Sequence, residues 1–196
     1  MTAGSIVLTI PEWLRNEIER LPTCIKTLED RMSNIIRFAE LNFEHKTGGP
    51  FAAGVFEKDS GKVVAIGVNR VVPMNCSSAH AEIMALSLAQ QWLKLYDLGG
   101  EGQAAHQLIV NWRPCAMCFG AVLWSGVRSL VIAGSGPEME ELTGFDEGPI
   151  HPDWIEELNK RGIEFQSDLL KSEACRVFRN FQASGSPVYN ARLGVM

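Results

Sequence analysis

Apolar residues recur at helical spacing over residues 11–21, through Trp13, Leu14, Ile18 and Leu21, until Pro22 interrupts the pattern. A longer helix is predicted over 27–45, with Met32, Ile35, Ile36, Ala39 and Phe43 on one stripe. Glu29 and Asp30 near its start and His45 and Lys46 near its end suit the helix dipole, and Gly48, Gly49 and Pro50 stop it. The period then shortens to that of strands over 51–56 and 63–68, joined by the turn Lys58-Asp59-Ser60-Gly61. A polar loop from Asn69 to Ser78 follows, in which Ser77 and Ser78 offer N-cap oxygens to a helix over 80–96. Its apolar face carries Ala81, Met84, Ala85, Leu88, Trp92 and Leu95. Beyond Gly99 and Gly100 come a strand at 107–112, a helix opened by Pro114, strands at 129–133 and 163–166, and helices at 151–161 and 171–183. Gly120 and Ala121 in the Pro114 helix are expected to let it approach a sheet closely. Strands alternating with helices predict a three-layer α/β/α sandwich of about five strands. The chain divides into an N-terminal helical extension packed on the core (1–48), a core domain (49–183) and an irregular tail (184–196).

Two short stretches carry chemistry. His80-Ala81-Glu82 opens one predicted helix, and Pro114-Cys115-Ala116-Met117-Cys118 opens another. Cys115 and Cys118 are three residues apart, so a helix presents both on one face. Taken singly, a Cys-x-x-Cys pair could be a redox couple, half of a structural zinc knuckle, or two buried small residues. One imidazole and two thiolates together suit zinc, with the fourth tetrahedral position left for water as in catalytic sites. A closed structural site would need a fourth protein ligand, and Cys76 is the one candidate near in sequence. Glu82 is close enough to His80 to serve that water as proton carrier without binding the metal.

The joint pattern H-x-E followed by P-C-x-x-C resembles the cytidine deaminase-like superfamily of zinc-dependent base and nucleoside deaminases, over about residues 50–181. That resemblance implies its fold and hydrolytic deamination, with His80, Cys115 and Cys118 on Zn²⁺ and Glu82 catalytic. Pro50-Phe51, Asn69, Gly120-Ala121, Trp124 and Gly144-Phe145-Asp146-Glu147 are most similar to the guanine deaminase branch. The branch implies conversion of guanine to xanthine. Asn69 would contact the purine, and Glu147 would recognise and relay protons to its amino group, with Asp146 the adjacent alternative. Phe51 and Phe145 are candidates to stack on the base, and Ala81 to line the substrate site. An Asn can both donate and accept, whereas an ionised carboxylate accepts only, which suits the donor edge of guanine. Arg113 stands where many relatives carry Glu. Rival readings are a tRNA adenosine deaminase, another small nucleobase, nucleoside or triazine deaminase, and a catalytically silent zinc scaffold.

Charge narrows the partners. With 18 Lys plus Arg against 23 Asp plus Glu, the net charge is −5, and no basic run appears, which disfavours a polynucleotide substrate. No apolar run reaches the roughly 18–20 residues that span a bilayer. Five cysteines at irregular spacing, with no signal-peptide pattern, point to a reducing, cytoplasmic setting. Related deaminases are oligomers, so a homodimer is expected. The segment from Phe178 onward, including Phe181 and Tyr189, is expected to cover an active site, its own or the neighbouring subunit's.

Overall fold

The computed structural model describes residues 4–190. Two helices, α1 (Glu12–Arg20) and α2 (Leu28–Glu44), precede the hairpin of β1 (Ala52–Glu57) and β2 (Val63–Val68). Then follow α3 (Val71–Met74), α4 (Ala81–Leu93), β3 (His106–Val110), α5 (Ala116–Ser125), β4 (Ser129–Ile132), α6 (Glu138–Thr143), α7 (Trp154–Asn159), β5 (Glu164–Gln166) and α8 (Lys171–Ser184). The strands form one five-stranded sheet in the order β2-β1-β3-β4-β5. β1 is antiparallel to both its neighbours, whereas β3, β4 and β5 run parallel.

Alternate strand residues feed two cores, as a pleat with both faces covered requires. Phe56, Ile109 and Val131 join Met32, Ile35 and Phe38 of α2 and Phe178 and Phe181 of α8 on one side. Val55, Leu108 and Leu130 join Ala85 and Ala89 of α4, Val122 of α5 and Leu158 of α7 on the other. The expected three-layer α/β/α sandwich is therefore present. α2 contributes fully buried Met32, Ile35, Phe38 and Ala39, so the segment before residue 48 supplies part of the core. Its N-cap is Thr27, whose side chain accepts from the Asp30 N–H. Buried Arg31 is tied by its guanidinium to the carbonyls of Ile25, Lys26 and Lys58 and to Gln107 Oε1, which pins α2 to the hairpin and to β3.

Several local expectations differ from the structure. The loop after Asn69 contains the short helix α3, and the N-cap of α4 is His80 rather than a serine. α4 ends at Leu93 because Lys94 turns left-handed, and Trp92 is 76% exposed instead of core-facing. Pro114 precedes the N-cap Cys115, one position before the cap rather than in the first turn. A side chain on Gly120 would meet nothing within 4 Å of its Cβ, so this glycine does not bring α5 to the sheet. Close approach occurs at Gly67 of β2, where a Cβ would lie 2.4 Å from Ala85 N and 2.5 Å from Ala81 O of α4. Among the described residues, no helix is long and apolar enough to cross a membrane.

The contact at Gly67 seats the first turn of α4, and His80 and Glu82 with it. Gly67→Ala is expected to push α4 off the sheet, destabilising the protein by about 1–3 kcal/mol as overpacking does. Urea unfolding would read this, and metal content per chain should fall with it. An unchanged midpoint would mean that this approach does not seat the helix.

Candidate active site

Two helix starts meet on one side of the sheet. His80 is the N-cap of α4 and Cys115 the N-cap of α5, both with extended backbone, and Cys118 lies one turn further along α5. Among the described residues, His80, Cys115 and Cys118 form one candidate metal group, with ligand atoms all within 4.8 Å of one another. Cys115 Sγ lies 3.5 Å from His80 Nδ1, so Nδ1 is the imidazole nitrogen facing the thiols. Cys76 is not a member of that group; its sulfur contacts Ser78 Oγ at 3.3 Å instead. Hydrogen bonding from Cys118, against the cost of burial, lowers the Cys115 thiol to about 4, and His80 adds to the shift. The Cys118 thiol is raised, first because it donates to Cys115 and then by burial. One imidazole and two thiols, which a dication would bind as thiolates, make a donor set that fits zinc.

Two carboxyl groups flank these ligands. Glu82, in the first turn of α4, is 6% exposed, and burial first, then the Cys115 charge, raise it to about 7. Half-buried Glu147 is pushed up to about 8 by burial, with Cys115 and Glu82 adding repulsion. A dication on the neighbouring thiolates opposes both shifts by favouring the carboxylates. The Glu147 carbonyl accepts from the Ala116 N–H at 3.2 Å, which docks the loop after α6 directly on the start of the cysteine helix.

A cavity of about 340 Å³ opens beside the ligands, lined among others by Phe51, Asn69, Glu82, Phe145, Glu147 and Tyr189. That lies at the small end of the range for ligand pockets. Phe51 and Phe145 meet edge to face at 5.2 Å between centroids, and Tyr189 packs on Phe145 at 4.9 Å. Phe178 and Phe181 stand behind this wall in the core, against Phe51 and Phe145 respectively. Ala81 is buried and also borders the cavity. Asp146 is exposed at the rim, where its carboxylate accepts from the Gly148 N–H at 2.8 Å and so serves the turn.

Asn69 is more constrained than its residue type implies. Its Oδ1 accepts from the backbone N–H groups of Gly49 and Val71, each at 3.3 Å. The expectation that it could both donate and accept toward a ligand is therefore narrowed, because the amide nitrogen alone is left on the cavity side. That nitrogen donates to the Tyr189 hydroxyl. Asn190 ties the tail to the Glu147 loop, donating to Gly144 O at 2.7 Å and accepting from Asp146 N at 3.0 Å. Sequence reading did not single out Asn190, which lies in an irregular segment with no periodicity to mark it. Residues 191–196 of the tail lie outside the described residues.

Comparison with known proteins agrees with this geometry. A family model described as "Cytidine and deoxycytidylate deaminase zinc-binding region" matches residues 25–134. The match starts at Ile25, before α2. A solved structure of guanine deaminase from Nitrosomonas europaea is 43% identical with a TM-score of 0.87, covering 93% of this chain and 99% of that one. The guanine deaminase of Bacillus subtilis is 32% identical over 136 residues, 68% of this chain and 82% of the relative. A tRNA-specific adenosine deaminase from Buchnera aphidicola is 30% identical over 144 residues, 74% of this chain and 84% of the relative. Sequence, sheet order and the cluster of one imidazole and two thiols converge, and the chain belongs to the zinc-binding cytidine and deoxycytidylate deaminase family.

Proposed function

We propose that this protein hydrolyses free guanine to xanthine and ammonia, with zinc held by His80 Nδ1 and the Cys115 and Cys118 sulfurs. The observation that carries this reading is the pairing, in one aromatic-walled cavity beside the ligand cluster, of a carboxyl group, Glu147, with an amide donor, Asn69. Guanine presents N1–H and its amino group as donors on one side and ring-nitrogen acceptors on the other. The ionised carboxylate suits the first, and the Asn69 nitrogen suits the second. Adenine, with an unprotonated N1, would leave Glu147 poorly matched, at a cost of about 1–3 kcal/mol per unsatisfied buried group. The 43% identity to a structure named as a guanine deaminase supports the same choice.

Zinc bound at this site supplies Lewis acidity, lowering the pKa of water from about 15.7 to about 7. Glu82 takes a proton from the attacking water and delivers it to the departing amine. Burial raises its proton affinity and a neighbouring dication lowers it, so the two effects together set the relay. Ionised Glu147 accepts from N1–H and the amino group and holds them in place, and it can relay to the departing amine only a proton that it has first taken up there. Phe51 and Phe145, in contact with each other, form the aromatic wall against which the ring rests. The tail from residue 184 acts as a cover through Tyr189, whose hydroxyl stays protonated because burial raises it. Asp146 shapes the turn and has the lesser role. A thiolate-based site of this kind suits the reducing cytoplasm.

We also infer a homodimer through α5. Met117, Gly120, Ala121 and Trp124 fall on one helix face, where Met117 is 40% and Trp124 87% exposed and Gly120 has open space beside it. A second copy is the natural cover for an apolar stripe beside the ligand cluster.

Guanine should be turned over by zinc-loaded protein, with adenine, cytosine and transfer RNA much poorer; turnover of transfer RNA or cytidine with guanine ignored would overturn the assignment. Glu82→Gln should keep one zinc per chain while turnover falls by about 10²–10⁴-fold, and Cys115→Ala should lose the metal. Near-normal turnover in Glu82→Gln would mean that another group carries the proton. Glu147→Gln should depress guanine turnover far more than Asp146→Asn. Sedimentation should show a dimer that Trp124→Glu splits, and a monomeric parent protein would remove the interface.

A further inference from the structure

Asn42 is a polar residue on the core-facing side of α2, and it is completely buried. An apolar residue there would continue the stripe and avoid the cost of burying an amide. Its polar atoms are nevertheless all engaged. Nδ2 donates to Gly49 O at 2.8 Å and to Asn69 O at 2.9 Å, and Oδ1 accepts from the Thr47 hydroxyl at 2.8 Å. The Thr47 hydroxyl in turn accepts from Trp13 Nε1 at 2.8 Å. The connection from α2 to β1 passes Asn69 so closely that a Cβ on Gly48 would overlap the Asn69 carbonyl oxygen at 1.8 Å.

Every polar group of Asn69 is consequently held, apart from the second hydrogen of its amide nitrogen, whose first is donated to the Tyr189 hydroxyl. Its N–H donates to Phe51 O at 3.0 Å, its carbonyl is taken by Asn42, and its Oδ1 by Gly49 and Val71. A flipped amide would point its NH₂ group at two backbone N–H groups, so one orientation is enforced.

We propose that Asn42, braced by Thr47 and Trp13, is a positioning residue that fixes the Asn69 amide as a donor to the substrate. It acts from outside the cavity, by holding both Gly49 and Asn69. The inference rests on the reading of Asn69 as a substrate contact, and it predicts coupling rather than simple loss of activity. Asn42→Ala should lower kcat/KM for guanine about 10- to 100-fold, the scale of a misplaced contact, through KM more than kcat. In an Asn69→Ala background the same change should lower it less than about 3-fold. Thr47→Val, which removes the brace but leaves Asn42 in place, should give a smaller loss that also vanishes in that background. Zinc per chain should be equal throughout.

Hydrogen exchange supplies a readout free of substrate. In Asn42→Ala, or in Thr47→Val should the first variant fail to fold, the Gly49 and Val71 amides should lose protection while those of β3 keep theirs. Equal losses of kcat/KM in both backgrounds, or retained protection at Gly49 and Val71, would overturn the inference. A parent protein silent on guanine would instead sink the functional reading, and the exchange measurement would still decide the role of Asn42.

Discussion

Two thiols and an imidazole can hold one ion only if three atoms, from the starts of two helices, reach the same point. The fold meets this condition by laying the N-caps of α4 and α5 side by side over the sheet. Each cap residue has extended backbone, so its side chain leaves the helix end instead of running down its flank. The first-turn N–H groups and the positive ends of both helix dipoles then face the sulfurs and carboxyls, where negative charge has to be accommodated. The depth of α4 is set by Gly67, where the helix backbone rests against β2 with no side chain between.

That placement concentrates acidic groups in a buried volume. Glu82 and Glu147 both have raised proton affinities, and repulsion from Cys115 contributes to each. Groups arranged this way oppose folding in the absence of a compensating cation, so their position has to be enforced by the rest of the molecule. Apolar packing on both faces of the sheet supplies the enforcement, and Arg31 ties α2 to the hairpin and β3. A site that is unfavourable by itself is thereby held in place for a compensating cation.

The substrate side of the cavity has a different construction. Phe51, Asn69, Phe145 and Tyr189 come from four connections distant in sequence, and only Phe51, at the edge of the first strand, touches a periodic pattern. Phe145 touches Phe51, Phe181 and Tyr189, so the wall of the cavity continues the aromatic core built on α8. The tail closes the assembly through the Tyr189 hydroxyl and the Asn190 amide, which link the Asn69 loop to the Glu147 loop.

Much of the chemistry is legible in the sequence because it is local. His80 and Glu82 share one turn, Cys115 and Cys118 another, and the spacing within a turn follows from helix geometry alone. The alternation of strands and helices likewise follows from period and punctuation, which is why the three-layer sandwich could be anticipated. Tertiary structure decided the rest. The strand order depends on which edges pair, a choice between distant segments that no single window contains. Trp92 sits on the expected apolar face yet points to solvent, because α4 ends in a left-handed turn before that face finds a partner. The glycine expected to admit a helix, Gly120, looks into open space, and Gly67 in a strand takes that role. Asn69 stands out in the sequence as a group able to donate or accept. Only the folded chain, by spending its oxygen on Gly49 and Val71, leaves it as a donor. Spacing along a chain determines which side chains share a turn, but hydrogen bonds between segments far apart in sequence determine which of their atoms remain free to meet a ligand.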